Sequence, residues 1–170
     1  MDLRSFIRDV PDFPKPGITF MDITPLIKSP LAFRLVMDKF QSFCQGRQID
    51  AVVGIESRGF IFGAPLALSL SVPFVPLRKP GKLPAEKMSA EYALEYGSGQ
   101  LDIHKDALTP GQRVVIVDDL LATGGTARAA AKLVEFLEAE VGSFLFVVEL
   151  SGLEGAKHLG DYSFMSLVKF

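Results

Sequence analysis

Two adjacent carboxylates and a loop rich in threonine and glycine lie together at residues 118–126. The acids are Asp118 and Asp119, and the loop runs from Thr123 to Thr126 with two glycines between them. Glycines let the backbone approach an anion closely, and a helix that starts at such a loop presents free N–H groups and the positive end of its dipole. The loop therefore predicts a phosphate site. Because carboxylates repel phosphate, we expect the acids to face sugar hydroxyls or a metal ion.

An ordinary strand end is the alternative interpretation of this segment, with Asp and Thr serving as turn and helix-capping residues. A single acid would suit that interpretation. Two acids, two threonines and two glycines in so short a run favour the functional one.

The elements that must position these residues alternate between strands and helices. The apolar runs predict strands at Ala51–Ile55, Val72–Leu77, Val114–Val117, Phe144–Leu150 and Phe164–Phe170. Helices are predicted from Pro30 to near Gly46, at Gly59–Leu70, at Ala127–Ala139 and, as a short one, near Leu153–Leu159. This order predicts an α/β fold with a mostly parallel central sheet flanked by helices and with ligands at the carboxyl ends of the strands.

Three more polar segments accompany this framework. Glu56-Ser57-Arg58-Gly59 follows a predicted strand and offers a cation, a hydroxyl and backbone N–H groups. Arg78–Ser89, called the cationic loop below, carries four cations and is too polar and rich in proline to belong to the core. It precedes a predicted β-hairpin, Ala90–Tyr96 and Gly99–His104. Residues 1–30 are rich in proline, and we expect them to be irregular.

Composition limits the possible partners and the location of the protein. With 170 residues the chain predicts a single domain over 1–170, and its net charge of −2 gives no electrostatic case for nucleic acid. With one cysteine, Cys44, the chain cannot form an internal disulfide bond, which fits a reducing cytoplasm. Phe60–Leu77 carries no charge, but its prolines and serines predict a buried helix and strand rather than a membrane span. Cys44 is expected in the core, and His104 and His158 at the surface.

The run V-V-I-V-D-D-L-L-A-T-G-G-T, Val114–Thr126, resembles the phosphoribosyl pyrophosphate signature of type I phosphoribosyltransferases. The resemblance implies that Asp118 and Asp119 hold the ribose hydroxyls, directly or through Mg²⁺. It also implies a binding loop for the 5′-phosphate made of Ala122, Thr123, Gly124, Gly125 and Thr126.

Two of the other segments are similar to further parts of the same family. Glu56–Gly59 resembles its pyrophosphate loop, which often holds a non-proline cis peptide bond just before the serine, and R-K-P-G-K-L-P resembles its mobile catalytic loop. The pyrophosphate ligands implied in this way are Ser57, Arg58, Arg78, Lys79 and Lys82. Arg58 and Lys82 are then also candidate catalytic residues, together with Glu95 of the L-E-Y-G hairpin at residues 94–97.

The N-terminal F-P-K-P-G-I-T-F-M-D-I-T resembles the segment that forms a hood over the base in the adenine-specific members. Phe20 would stack on the purine, and backbone groups near Thr19 and Met21 would bind its edge. Many members carry arginine where this chain has Met21. The implied layout is therefore a base-binding segment at 1–30 and a flexible loop and hairpin at 78–104.

The resemblance implies a purine salvage reaction in which adenine and phosphoribosyl pyrophosphate give AMP and pyrophosphate. Mg²⁺ would be the cofactor and a homodimer the assembly, with no nucleic acid and no membrane as partner. Family members that use hypoxanthine, guanine, xanthine or orotate are an alternative, against which the hairpin and hood motifs argue. A non-catalytic regulator that senses phosphoribosyl pyrophosphate and binds nucleic acid is the alternative from another class.

Overall fold

The computed structural model describes residues 2–93 and 97–170. They form two compact units, which divide between Lys39 and Phe40. The strands are β1 (Arg8–Val10), β2 (Phe20–Asp22), β3 (Ala51–Ile55), β4 (Phe74–Leu77), β5 (Lys87–Ala93), β6 (Ser98–His104), β7 (Arg113–Leu121), β8 (Glu140–Glu149) and β9 (Phe164–Lys169). The α-helices are α1 (Thr24–Lys28), α2 (Pro30–Cys44), α3 (Arg58–Leu70), α4 (Gly125–Phe136) and α5 (Gly155–His158). The boundary between the units falls within α2.

The larger unit is built on a five-stranded sheet in the order β4-β3-β7-β8-β9, with every neighbouring pair parallel. From β3 the chain continues to one edge of the sheet, and from β7 it continues to the other. The carboxyl ends of β3 and β7 therefore lie at the switch point of the topology, where open α/β sheets leave a crevice for ligands. The predicted α/β fold with a parallel central sheet is confirmed.

β3 and the first part of β7 are apolar runs that are buried on both faces of the sheet. All of β3 is buried, as are Val114–Val117 of β7. We expected β7 to stop at the acid pair, which was wrong. It continues to Leu121 because β8 pairs with it over that distance, so Asp118 and Asp119 are strand residues.

Several other boundaries differ from the prediction by a few residues. β8 begins at Glu140, before the apolar run, because its first residues pair with Arg113 and Val114. α4 ends at Phe136 instead of reaching Ala139, which belongs to the connection to β8. Cys44 is buried as predicted, and its burial raises the pKa of the thiol to about 11.

The N-terminal unit is more regular than expected. β1 and β2 pair antiparallel, with Arg8 opposite Asp22, and a 3-10 turn at Leu3–Phe6 precedes them. The prediction of an irregular segment was wrong because the strands are only three residues long and are set by backbone pairing rather than by an apolar pattern.

The predicted hairpin is confirmed by β5 and β6, which pair antiparallel from Lys87–His104 to Ala93–Ser98. The first strand begins at Lys87 instead of Ala90, so the last three residues of the predicted loop are strand residues, and residues 94–96 of the predicted strand lie outside the described residues. The hairpin packs against α4, the helix that follows the phosphate loop. Among the described residues, no helix is long and apolar enough to cross a membrane.

Candidate active site

The loops that follow β3 and β7 enclose one polar cavity of about 230 Å³ at the switch point of the sheet. Its walls contain Ser57 and Arg58 from the β3 loop, Lys79 from the cationic loop, Asp118 and Asp119 from β7, and Ala122, Thr123, Gly124 and Thr126 from the phosphate loop. Ile55, Glu56, Tyr92, Leu120, Leu121, Ala127 and Phe146 complete the lining. Cations, carboxylates and backbone N–H groups thus converge within the volume of a small ligand.

The close approach of α3 to β7 brings a cation to the acid pair. A side chain at Gly59 would lie 2.6 Å from the carbonyl oxygen of Val117 and 3.3 Å from Asp118 Oδ1, so only glycine fits there. The neighbouring Arg58 then places its Nε 2.9 Å from Asp119 Oδ2. The peptide bond between Glu56 and Ser57, just before this turn, is cis, as the resemblance implied.

The two carboxylates are electrostatically distinct although they are neighbours in sequence. Burial raises the pKa of Asp118, and the charge of Asp119 raises it further. Burial also raises the pKa of Asp119, but Arg58 opposes that effect. The Asp119 carboxylate is 4 % exposed and paired, whereas Asp118 accepts the backbone N–H of Asp119 at 2.8 Å. Asp118 therefore gains most from a cationic or hydroxyl-bearing ligand.

The phosphate loop is shaped by glycines that face backbone on both sides. Gly124 has φ +85°, and a side chain there would lie 2.7 Å from the carbonyl oxygen of Gly155. A side chain at Gly125 would lie 3.0 Å from the carbonyl oxygen of Ala93 on the hairpin. α4 begins at Gly125, so the N–H groups of its first turn have no partner within the helix and are available to an anion.

The cationic loop is attached to the site through its first residues. Glu56 Oε2 accepts the backbone N–H of Lys79 at 2.8 Å and Nε of Arg78 at 3.2 Å. Burial by itself would raise the pKa of Glu56, but these hydrogen bonds and the charges of Arg78 and Lys82 hold it below its ordinary value. The Glu56 carboxylate is therefore charged and ties the cationic loop to the β3 loop.

The C-terminal end of the cationic loop, called its returning end below, contacts the hairpin. Nε2 of His104 accepts the backbone N–H of Ala85 at 3.3 Å, and the backbone N–H of Lys105 donates to the carbonyl of Glu86 at 2.9 Å. His104 is half-buried and stays partly exposed at the surface. His158 is exposed, as expected. Between the two attachments, Lys82 is exposed.

Comparisons with known proteins agree with this geometry. The phosphoribosyl transferase domain family matches residues 26–165. Adenine phosphoribosyltransferase of Caldanaerobacter subterraneus is 57 % identical over 169 residues, covering 99 % of this chain and 98 % of the relative. The crystal structure of the Thermoanaerobacter pseudethanolicus enzyme of that name superposes with a TM-score of 0.96 at 56 % identity, covering 99 % and 98 % of the two chains. The chain belongs to the adenine phosphoribosyltransferase family.

A yeast adenine phosphoribosyltransferase, crystallised with adenine and an imino-altritol bisphosphate, has a TM-score of 0.92 and is 44 % identical. The two chains are covered to 97 % and 96 %. The polar cavity, the acid pair and the phosphate loop of this chain thus belong to a fold shared across the family.

The structure brings together most of the residues that the sequence nominated, but not all of them. Those that line the cavity are Ser57, Arg58, Lys79, Asp118, Asp119, Ala122, Thr123, Gly124 and Thr126. Gly125 starts α4, and Arg78 directs its guanidinium to Glu56. Glu95 lies outside the described residues. Lys87, one of the four loop cations, pairs with Asp102 at 3.4 Å.

Sequence reasoning missed Tyr92 of β5, which lines the cavity. Its ring lies against Gly99 on β6, where a side chain would come within 2.4 Å of the ring. Tyr92 and Gly99 are cross-strand partners. The signal was a bulky aromatic opposite a glycine in the hairpin, but finding it requires the register of the strands.

The donor set suits a metal ion that arrives with the substrate. Mg²⁺ is usually held by one or two carboxylates together with substrate phosphates. Asp118 and Asp119 supply such carboxylates, and the described residues contain no group of three acidic, histidine or cysteine side chains that could hold a metal alone.

The predicted base-binding residues lie in the N-terminal unit. Phe20 and Met21 belong to β2, and both are half-buried. The ring of Phe20 meets that of Phe13 edge to face, with centroids 5.3 Å apart. Thr19 precedes β2 and is exposed. Their contact with a base stays a prediction.

Proposed function

We propose that this chain transfers the phosphoribosyl group of phosphoribosyl pyrophosphate to adenine in the cavity between β3 and β7, giving AMP and pyrophosphate. The observation that carries the proposal is the convergence of a phosphate loop, an acid pair and a cation on one cavity at the switch point. Each of these groups matches a different part of the sugar substrate.

Each group of site residues binds its own part of the substrate. The phosphate loop, Ala122–Thr126, holds the 5′-phosphate on the N–H groups of the first turn of α4 and on threonine hydroxyls. Asp118 and Asp119 accept hydrogen bonds from the ribose hydroxyls. They also face the positive charge that develops on the ribose as the bond between C1′ and the pyrophosphate oxygen breaks. Pyrophosphate leaves with the electron pair, C1′ bonds to a ring nitrogen of adenine, and that nitrogen loses its proton.

The departing pyrophosphate meets the cations of the site. Ser57 and Arg58 offer a hydroxyl, a guanidinium and backbone N–H groups at the start of α3, and Lys79 lies on the same cavity. Lys82, exposed in the cationic loop, supplies its charge when the loop closes. Arg78 contributes through its contact with Glu56. Glu95 keeps its proposed catalytic role at the hairpin.

Several finer features belong to the same proposal. Asp118 or Asp119 would hold Mg²⁺ together with the substrate's pyrophosphate, and the ion would neutralise part of the leaving group's charge. We propose a homodimer, a cytoplasmic location, and one functional domain over residues 1–170 with the base-binding segment at 1–30 and the loop and hairpin at 78–104. The alternative of a regulator that binds nucleic acid is not supported by the relatives, which carry the name of the enzyme.

The proposed function is tested by incubating the chain with Mg²⁺, phosphoribosyl pyrophosphate and one base at a time, and measuring pyrophosphate release. Adenine is expected to give rapid release, and hypoxanthine, guanine, xanthine and orotate little above the rate without a base. Release that is equal for hypoxanthine or guanine would refute the assignment of the base.

Phe20→Ala is expected to raise the KM for adenine about tenfold, because stacking on an aromatic ring stabilises a bound base by about 1–3 kcal/mol. The KM for phosphoribosyl pyrophosphate should change by less. Steady-state kinetics with each substrate varied in turn measures both values. Phe136→Ala, which removes an exposed ring from α4, is the control and should change neither. An unchanged adenine KM in Phe20→Ala would remove this residue from the base site.

Lys82→Ala is expected to lower kcat about tenfold or more while leaving the affinity for AMP nearly unchanged, since its charge acts on the departing pyrophosphate. The side chain is exposed, so the free energy of unfolding should change by less than about 0.5 kcal/mol. Lys132→Ala, at an exposed position of α4, is the matched control. Equal kcat values in the two variants would show that the cationic loop is a solvated surface loop without a catalytic role.

A further inference from the structure

Asp102 of β6 is a fully buried carboxylate that the proposed chemistry does not use. Its Oδ1 accepts hydrogen bonds from Ser89 Oγ and from Gln100 Nε2, both at 2.7 Å. Its Oδ2 lies 3.4 Å from Nζ of Lys87. Lys87 and Ser89 end the cationic loop and are also the first residues of β5, in which Ser89 is the cross-strand partner of Asp102. The side chain of Asp102 therefore holds the point at which the loop enters the hairpin.

The backbone of Asp102 holds the other end of the same loop. Its N–H donates to the carbonyl of Arg78 at 2.7 Å, and its carbonyl accepts the N–H of Arg78 at 3.0 Å. These two bonds form an antiparallel bridge outside the regular strands. One residue thus contacts the first residue of the cationic loop and two of its last three.

The carboxylate is charged although it is buried. Burial by itself would raise the pKa of Asp102, but hydrogen bonds from Gln100 and Ser89 and the charge of Lys87 hold it below its ordinary value. Buried ion pairs contribute little net stability compared with well-packed apolar side chains. Such a carboxylate instead contributes by fixing the positions of its partners, because each donor must point at one of its two oxygens.

A continuous set of contacts leads from Asp102 to the cavity. Arg78, held by the backbone of Asp102, directs its guanidinium to Glu56, and the next residue, Lys79, donates its backbone N–H to the same carboxylate. Glu56 directly precedes Ser57 and Arg58 at the pyrophosphate end of the cavity. A shift at Asp102 therefore changes where the cationic loop leaves the sheet.

We infer that Asp102 is a positioning residue for the transfer reaction. It holds both ends of the cationic loop, so that closure of the loop brings Lys79 and Lys82 to the pyrophosphate. Asp102 touches no substrate and acts through Arg78, Lys87 and Ser89. The inference rests on the proposed function.

Asp102→Asn tests this role, because the amide keeps the shape of the side chain but removes its charge and replaces one acceptor with a donor. The kcat for AMP formation is expected to fall about tenfold or more, since small displacements of a catalytic segment carry such costs. The KM for adenine and the Kd for AMP should stay within about twofold of the wild type, because neither ligand includes the departing pyrophosphate.

Ser89→Ala supplies a second test that leaves the buried charge in place. It removes one hydrogen bond at the returning end, so kcat should fall by less than in Asp102→Asn. In the Asp102→Asn background it should cause a smaller further fall than in the wild type, because the neutral amide oxygen accepts the Ser89 hydroxyl more weakly than the carboxylate does. Should Asp102→Asn fail to fold, Ser89→Ala with unchanged kcat overturns the inference, and Ser89→Ala with lowered kcat and unchanged AMP affinity supports it.

Asp50→Asn is the control for removing a carboxylate charge away from the ligand edge. Asp50 is exposed and precedes the amino end of β3, where its Oδ2 accepts the backbone N–H of Arg113 at 2.7 Å. Its kcat should equal that of the wild type. A fall in kcat in Asp102→Asn that is matched by the losses of AMP affinity and Tm would make the role structural and overturn the inference.

Failure of the inference and failure of the proposed function give different results. A wild type that is inactive with every base overturns both. An active wild type whose kcat is unchanged by Asp102→Asn overturns the inference alone.

Discussion

Asp118→Asn and Asp119→Asn are each expected to lower kcat/KM by about 100-fold or more, the scale of losing one preorganised electrostatic contact in a transition state. Both carboxylates line the cavity. Neither asparagine changes the volume of the side chain, so a loss of activity reports the charge. Steady-state kinetics with adenine and phosphoribosyl pyrophosphate measures it.

The two variants should differ in stability. Asp118→Asn removes repulsion from Asp119, so the free energy of unfolding should hold or rise. Asp119→Asn breaks the 2.9 Å pair with Arg58, so the free energy of unfolding should fall by comparison. Full activity in both variants, or a loss of activity in proportion to a loss of Tm, would show the acids to be structural.

The stability gain of Asp118→Asn should depend on pH. The pKa of Asp118 is raised in the folded state, so ionisation is easier in the unfolded chain. Below the unfolded pKa of about 3.9 both states are protonated, and the difference between wild type and variant vanishes. As pH rises from there through the folded pKa, the wild type should lose stability relative to the variant. Thermal unfolding across this range measures the difference, and a gap that closes with rising pH would contradict the buried-pair account.

Gly124→Ala is the second change from which we expect a large effect. The residue has φ +85°, and a methyl group would lie 2.7 Å from the carbonyl oxygen of Gly155 and 2.9 Å from Cβ of His158. Strain and overpacking together should lower the free energy of unfolding by more than about 2 kcal/mol. The displaced loop should also raise the KM for phosphoribosyl pyrophosphate by about 100-fold.

Two other glycines distinguish backbone strain from close packing as the cause of the effects expected for Gly124→Ala. Gly160 has φ +58° with nothing within 4 Å of the site of a side chain, so Gly160→Ala reports the backbone strain alone. Gly152 has open space and no positive φ, so Gly152→Ala should change stability by less than about 0.5 kcal/mol. If Gly124→Ala behaved like Gly160→Ala in both stability and KM, the close packing of the phosphate loop would have no functional part.

The sequence predicted the parallel sheet because β3 is apolar and buried throughout and β7 begins with the buried apolar run Val114–Val117. It predicted the phosphate loop because Gly124, Gly125 and the threonines lie together in the chain. In both cases the signal is local, so neighbouring residues are enough to show it.

The features that the sequence did not predict depend on contacts between distant segments. The extension of β7 beyond the acid pair to Leu121 depends on pairing with β8. The role of Glu56 depends on the backbone N–H of Lys79 and the guanidinium of Arg78, each more than 20 residues away. Asp102 looks like one polar residue of an alternating strand until Arg78, Lys87 and Ser89 are placed around it. Such contacts leave no pattern in a single sequence.

The most direct test of the central assignment is a crystal structure of the chain with AMP. We predict the 5′-phosphate of AMP on the backbone N–H groups of the phosphate loop at Thr123–Thr126, with the ribose hydroxyls facing Asp118 and Asp119. A phosphate bound elsewhere, for example at the cluster of Arg8, Thr24 and Lys28 in the N-terminal unit, would contradict the assignment.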